Sequence, residues 1–556
     1  MKKTFIILLT IALNLTFLNL HAQSSDVQKA SKAVFTLTTY KADGSIIATT
    51  HGAYSGNQGE GISSFTPFVG ASSAVVIDGG GNKFNVESII GANEMYDICR
   101  FKLSGYKTRP LPQAQAGGTG KLWVVGYSTK KPTIKPLTIK SSEKFLDKYN
   151  YYVFGEEITE EIEGCPILND AAEIVGLVQR SSTNYQIHST DSRFYAELSS
   201  SGLSAHDPAL RKVNIRIALP SNHEQARLML MMINANDDSL NVVNTTKDYI
   251  TTYPNEVDGY TAMARYEVSH NNLVKASEML ESALKKVEKK DEAYFEFSKL
   301  IYSNVIFQQD STKSAWTLDL AEEKINKAIA VNNLPAYRHQ LAQIKYAKGD
   351  YTTAFNMFDE LSIGDMPTSE VFYEAAQCKS HLGGKSAEIL EYVNKSVEAS
   401  PKPLTNISAP YILARGVILD DMGESKKALM DYNLYDSLML YRASADFYYT
   451  RYKCEVKLRQ YLQAINDISH AAIINPSEPT YLAELASLQL RLGKYEEALQ
   501  ASNLCLNLTQ EYSDIYLVKG VALNHLGKKE ESLEALKKAK ELGDARADAY
   551  IEKFSK

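Results

Sequence analysis

Cysteine is scarce in this chain: five in 556 residues, at positions 99, 165, 378, 454 and 505, with no paired spacing. That excludes a disulfide framework of the kind that staples small secreted domains. A bridge between Cys99 and Cys165 is left open by the sequence, whereas Cys378, Cys454 and Cys505 fall at helical positions that favour small side chains and read as buried thiols. No Cys-x-x-Cys, His-Glu-x-x-His or clustered carboxylate signature is present, so neither a metal nor a cofactor is expected. Excess positive charge is also lacking. Sixty Lys and Arg against 66 Asp and Glu give a formal net charge of −6, which gives nucleic-acid binding no support. Beyond the first twenty residues no apolar run reaches the roughly 18 residues that a membrane span needs.

What is present begins with a leader pattern. Lys2 and Lys3 precede an apolar run over 5–20 broken only by Thr10, Asn14, Thr16 and Asn19, and His21-Ala22 stand before Gln23. A basic start, an apolar middle and a small residue at the end form a secretion signal of bacterial style, cleaved after Ala22. The expected domain order is a signal peptide over 1–22, a β-rich domain over 24–198, a connector over 199–222 and a helical array over 223–556. The mature chain is then expected in the periplasm or outside the cell, without a lipid anchor, because no cysteine follows the apolar run.

Residues 33–40, the Asp43-Gly44 turn and residues 49–54 have the form of a β-hairpin. Later come Ile62-Ser63-Ser64-Phe65-Thr66-Pro67-Phe68-Val69-Gly70-Ala71, then Tyr96-Asp97-Ile98-Cys99-Arg100-Phe101, then Gly120-Lys121-Leu122-Trp123-Val124-Val125-Gly126-Tyr127. Last is Glu163-Gly164-Cys165-Pro166-Ile167-Leu168-Asn169 with the strand Ile174-Val175-Gly176-Leu177-Val178. In that order they resemble the landmarks of trypsin-like serine proteases of the chymotrypsin fold, in particular the bacterial branch. The resemblance covers about a quarter of the chain and implies an all-β double barrel.

It also implies a degenerate triad. The family's histidine slot holds Thr66 and its serine slot holds Glu163, so that only Asp97 survives. An aspartate in such a triad orients an imidazole that shuttles the serine proton, and with neither partner it has nothing to orient. Threonine is no general base near neutral pH. Cysteine nucleophiles of this fold keep a glycine after the cysteine for the oxyanion hole, but here Pro166 follows Cys165 and carries no N–H. His51 and His188 lie at no landmark and read as surface or turn residues. No catalytic residue is therefore expected, and the domain reads as a pseudoenzyme.

From about residue 223 the pattern turns helical with an internal repeat, clearest in units starting near Ala445, Pro479 and Ser513. Tyr461 and Tyr495 are 34 residues apart, as are Ala464 and Ala498, and Gly493 and Gly527. Small residues recur where two helices must pack closely, as at Ala486 with Ala498 and Gly520 with Ser532. The spacing resembles tetratricopeptide repeats. Extended upstream through Gly416, Ala376, Ala342, Ala321 and Ala264, it implies a superhelical solenoid of about eight or nine repeats, each burying its neighbour's face. Residues 544–556 read as a polar capping helix.

Such arrays bind peptides or protein segments along the face lined by the first helix of each repeat. Carried onto this sequence, those positions include Arg265, His339, Gln343, Tyr346, Asp420, Asp421, Tyr449, Lys453, Lys457, Thr480, Ser487, Arg491, Asn524 and His525. The chain reads as a secreted interaction scaffold with a catalytically inactive trypsin-like domain and a protein or peptide partner. Two alternatives stand beside it: an active or conditionally active hydrolase, and a structural or assembly factor of the cell envelope.

Overall fold

A computed structural model describes residues 25–115, 117–118, 120–181, 183–233, 239–307 and 315–555. The leader expected over 1–22 lies outside the described residues. β1 (Val34–Tyr40) is a run of β-branched and aromatic residues, in which Val34, Phe35 and Leu37 are fully buried. With β2 (Ile46–Tyr54), β3 (Glu60–Ser63), β4 (Ser73–Asp78), β5 (Lys83–Asn93) and β6 (Ile98–Leu103), β1 closes an antiparallel barrel of order β1-β2-β3-β6-β5-β4. Closure leaves no free sheet edge. Gly44, at φ 82°, makes the β1–β2 turn at the expected Asp43-Gly44.

The second half of the β-region is two four-stranded sheets and not a second closed barrel. One has β7 (Leu122–Val125), β8 (Ile134–Leu137), β11 (Pro166–Asn169) and β12 (Ile174–Leu177) in the order β12-β11-β7-β8. The other has β9 (Ile139–Phe145), β10 (Tyr149–Glu157), β13 (Gln179–Arg180) and β14 (Gln186–Thr190) in the order β13-β14-β10-β9. Barrel and sheets share a single apolar core. Cys99 and Cys165 both lie in it as free thiols, and all five cysteines are free and buried.

That core extends into the segment expected to be a connector. Leu210, Val213 and Ile215 are buried in it, and Ile217 bridges to Ile89 of β5, with Ile89 N–H donating to the Arg216 carbonyl (2.9 Å) and Ala218 N–H to that of Ile89 (2.8 Å). Gly70 N–H reaches the Lys212 carbonyl at 2.7 Å. Residues 210–218 are thus strapped to the barrel, not an exposed tether, because their apolar side chains gain more in the core than in water.

From His223 to Ser555 the described residues form nineteen α-helices. The repeat units fall where the spacing places them: Ala445–Lys457 with Tyr461–Ile474, Pro479–Arg491 with Tyr495–Leu508, and Ser513–His525 with Lys529–Glu541. Among the described residues, several of the turns between helices place a residue in the left-handed region. Gly349, Gly383, Gly423, Gly493, Gly527 and Gly543 supply it at φ between 72° and 91°. Arg459, at φ 60°, occupies the same slot without glycine's freedom. Close packing accounts for the small residues as well, since a Cβ on Gly520 would stand 2.6 Å from the Leu536 side chain and one on Gly416 2.9 Å from the Tyr432 ring. The last helix, Ala547–Ser555, is amphipathic and not simply polar: Ala547 and Phe554 are buried against Leu536 and Ala539.

Candidate functional site

Thr66 opens a single 3-10 turn, Thr66–Phe68, just after β3, and Asp97 sits in the turn between β5 and β6 at φ 47°. Aspartate tolerates this conformation better than most side chains. The two meet. Asp97 Oδ1 accepts from Thr66 N–H at 2.7 Å and from Thr66 Oγ1 at 2.8 Å, so the carboxylate caps the turn. Gln179 Nε2 in turn donates to the backbone carbonyls of Tyr96 (2.6 Å) and Asp97 (3.2 Å), fixing the loop from the neighbouring sheet.

Glu163 lies in the turn entering β11. Its carboxylate is forked by Arg180 of β13, at 2.6 Å from Nη2 and 3.2 Å from Nε. The next residue, Gly164, has φ 78°, and a Cβ there would stand 2.4 Å from the His51 carbonyl oxygen. Cys165 is fully buried, and burial pushes its thiol up to about 12, so it holds no useful thiolate near neutral pH.

The two histidines of the β-region are not surface or turn residues. His51 lies on β2 with Nδ1 3.0 Å from the Glu163 carbonyl oxygen and its ring 5.9 Å from that of Tyr127. Burial lowers its pKa and favours the neutral ring, although the Glu163 carbonyl opposes this. His188 is buried on β14, with Nε2 3.1 Å from Asn184 Oδ1, and burial lowers its pKa too. Strand alternation turned both rings inward, which their distance from any motif could not show. Among the described residues no imidazole is hydrogen bonded to the carboxylate of Asp97 or Glu163.

The positions expected on the binding face of the helices are mostly engaged with the next repeat. Arg265 pairs with Glu296 at 2.9 Å, and Lys457 with Asp420 at 2.8 Å. Burial would raise the Asp420 pKa, but the bonds from Lys457 and Ser425 outweigh it and lower it. His339 is buried, with Nε2 2.5 Å from Glu374 Oε2, while Gln343 Nε2 holds Glu374 Oε1 at 2.7 Å. The Tyr346 hydroxyl is 3.0 Å from His381 Nε2. Tyr449 packs on Tyr452 and Tyr481, with Lys453 Nζ 4.7 Å above its ring. Arg491 lies over Tyr461 at 6.0 Å.

That last contact belongs to a series. The first residue of a second helix stacks on the last residue of the following first helix: Tyr351 on His381 (4.3 Å, 6°) and Tyr495 on His525 (4.2 Å, 1°). Arg491 and His525 are therefore spent in stitching repeats together. The common spacing of 30 residues was visible in the sequence, although its partners were not. Sequence reasoning missed Glu370 and Glu374 altogether. Their i, i+4 spacing puts them on one helical face, but nothing local shows that His339 stands opposite.

One buried carboxyl has no such engagement. Arg451 is held between Asp436 (2.9 Å) and Asp467 (2.6 Å), whereas Glu455, one turn later, is buried with Oε2 lacking a partner. Burial, assisted by Asp467 and opposed by Arg451, raises its pKa to about 8.

No protein-family model and no curated protein sequence matches the chain. Among solved structures it is similar over its N-terminal part to a serine endoprotease from Yersinia pestis, at 13% identity over 32% of this chain and 65% of that one, with a TM-score of 0.28. It is similar as well to the active form of the Rv3671c protease from M. tuberculosis, at 12% identity over 36% and 87% of the two chains, TM-score 0.29. An HtrA-type protease with a tripeptide gives 13% identity over 32% and 62%, TM-score 0.28. The chain thus spans less than two thirds of the first and third of these structures. Likenesses of this size assign neither an activity nor a site residue to this chain.

Proposed function

We propose that this chain is an exported protein-binding scaffold in which a trypsin-like domain has lost catalysis and a tetratricopeptide-type array holds a peptide or protein segment. The observation that carries the reading is the use of the Asp97 and Glu163 carboxylates in structure: Asp97 caps the turn of Thr66, and Glu163 is forked by Arg180. A catalytic carboxylate must be free to face an imidazole. Here the carboxylate faces a threonine, and Glu163 would have to abandon its guanidinium to act. The partner is a peptide or protein with no nucleic acid involved, and it is bound without turnover along the first-helix face around Tyr449 and Lys453. Residues 223–556 form the binding array in this reading, with the boundary to the barrel domain inside 199–222.

A peptide array probed with the full-length protein tests this. Bound peptides should be recovered uncleaved, and Lys453→Glu with Tyr449→Ala should weaken capture about tenfold, while Glu163→Ala leaves it unchanged. Lys453 is exposed, so its change should alter stability by only about half a kcal/mol, whereas Tyr449 is partly buried against Tyr452 and Tyr481, so Lys453→Glu alone is the control that separates lost capture from lost packing. Cleaved peptides, or loss of capture through the barrel variant, would reverse the assignment.

A further inference from the structure

The helical region brings together three potential metal ligands that lie 31 and 35 residues apart in sequence. His339, on the helix Pro335–Ala347, faces Glu370 and Glu374 on the helix Ser369–His381, and one donor atom from each lies within 4.8 Å of the other two. We propose that these residues form a site for a divalent transition metal, of the Zn²⁺ or Mn²⁺ class, that ties consecutive helical hairpins together.

The donor set is suited to such an ion. One imidazole and two carboxylates are mid-range in hardness, matching zinc and manganese better than a cation that takes oxygen alone. With bonds of about 2.0–2.2 Å, a tetrahedral ion holds its ligands about 3.4 Å apart. The donors must therefore contract by little more than 1 Å at the widest, and His339 and Glu374 must open from the 2.5 Å of their present hydrogen bond by about as much. Glu370 can change rotamer without disturbing the core, since it is exposed.

The surroundings supply what a metal site needs beyond its ligands. Gln343 holds the second oxygen of Glu374 at 2.7 Å, orienting the carboxylate as outer-shell partners do. The His339 ring stands edge-on against Phe358 at 5.8 Å, which fixes its rotamer and walls one side from water. Three ligands on rigid helices leave a fourth position open for water or for a group of a bound partner. Glu370 and Glu374 also stand one turn apart on the same helix, which costs like-charge repulsion at i, i+4. A bound cation removes that cost. This inference does not depend on what the array binds or on whether the barrel is inert.

Titration of the metal-free full-length protein with Zn²⁺ or Mn²⁺ alone, followed by calorimetry, tests the site. Micromolar affinity at one equivalent is expected, with a rise in melting temperature of several degrees. Glu370→Gln removes a ligand at an exposed position, so it should keep the fold and weaken binding at least tenfold. His339→Ala should abolish binding, and the exposed Asp365→Asn should leave it intact. A visible Co²⁺ spectrum present in the wild type and lost in Glu370→Gln supports the same site. No binding at a hundred micromolar, equal stabilisation by Mg²⁺, or affinity unchanged in Glu370→Gln would overturn the proposal.

Discussion

The β-region and the helical region solve the same problem, satisfying polar groups at a would-be site, by opposite routes. In the barrel the partners come from strands far apart in sequence: His51 meets the Glu163 carbonyl, Gln179 holds the Tyr96 and Asp97 carbonyls, and the strap at 216–218 bonds to Ile89. In the helices they come from one repeat further on, as with Arg265 and Glu296, Tyr346 and His381, or Tyr452 and Glu484. Closure of the first kind is all or nothing, because one residue touches several strands. Closure of the second kind is modular, so a repeat can give up one contact to a ligand and keep the rest. In the proposed function this difference leaves the ligand to a face of the helices and a structural role to the barrel positions.

The largest effect should come from breaking closure in the barrel. Gly164→Val meets the His51 carbonyl and the Thr50 hydroxyl and forces a β-branched residue to positive φ, at a cost of more than about 4 kcal/mol. Trp123 fluorescence in a Trp316→Phe background should report loss of the barrel, with the helical circular dichroism retained. Coincident loss of both signals would mean that the regions do not differ in this way.

Glu455 offers the matching perturbation in the helices. Its folded pKa of about 8 lies above the unfolded value, so its contribution to stability is complete below about pH 4.5 and is lost as pH rises from there through 8. The shift sets a ceiling near 5 kcal/mol at about 1.36 kcal/mol per unit, and water penetration brings the expected loss to about 3. Urea melts at pH 5 and pH 8.5 should show that loss in the wild type and little of it in Glu455→Gln. Parallel curves for the two proteins would remove Glu455 as the cause.

Two smaller changes sharpen the contrast. Asp97→Ala removes both bonds to Thr66 and leaves alanine at φ 47°, costing the barrel about 2 kcal/mol, with peptide capture unaffected; Asp97→Asn should recover about half. Arg459→Gly should instead stabilise the helical region by about 1 kcal/mol in thermal melts, because glycine relieves the left-handed strain at φ 60°. A destabilised variant would show that the Arg459 side chain, not its backbone, matters there.

The difference between the two routes also explains what could be read in advance. Helix starts at Ala445, Pro479 and Ser513 were legible because their causes are local: small residues at the helix contact recur every 34 residues, as does the turn glycine in the last two units. The hydrogen bonds from Thr66 to Asp97 were not legible: the order of strand landmarks gave both positions, but with the histidine gone Asp97 read as having nothing to orient. Inward-facing His51, the strap at 210–218 and the His339 cluster were not legible either. Each depends on a partner set by strand register or repeat stacking, and no local pattern around Ile217 or Glu374 encodes Ile89 or His339. The two sheets in place of a second barrel belong to the same class, since closure is a property of all strands at once.

Treatment of the intact protein with a phosphonate active-site probe, read by intact mass, tests the central claim most directly. With Asp97 given to Thr66 and Glu163 to Arg180, no adduct is expected at any probe concentration that leaves the fold intact. A stoichiometric adduct on a residue of the barrel, abolished by one substitution there, would contradict the claim and show that the domain still carries a working nucleophile.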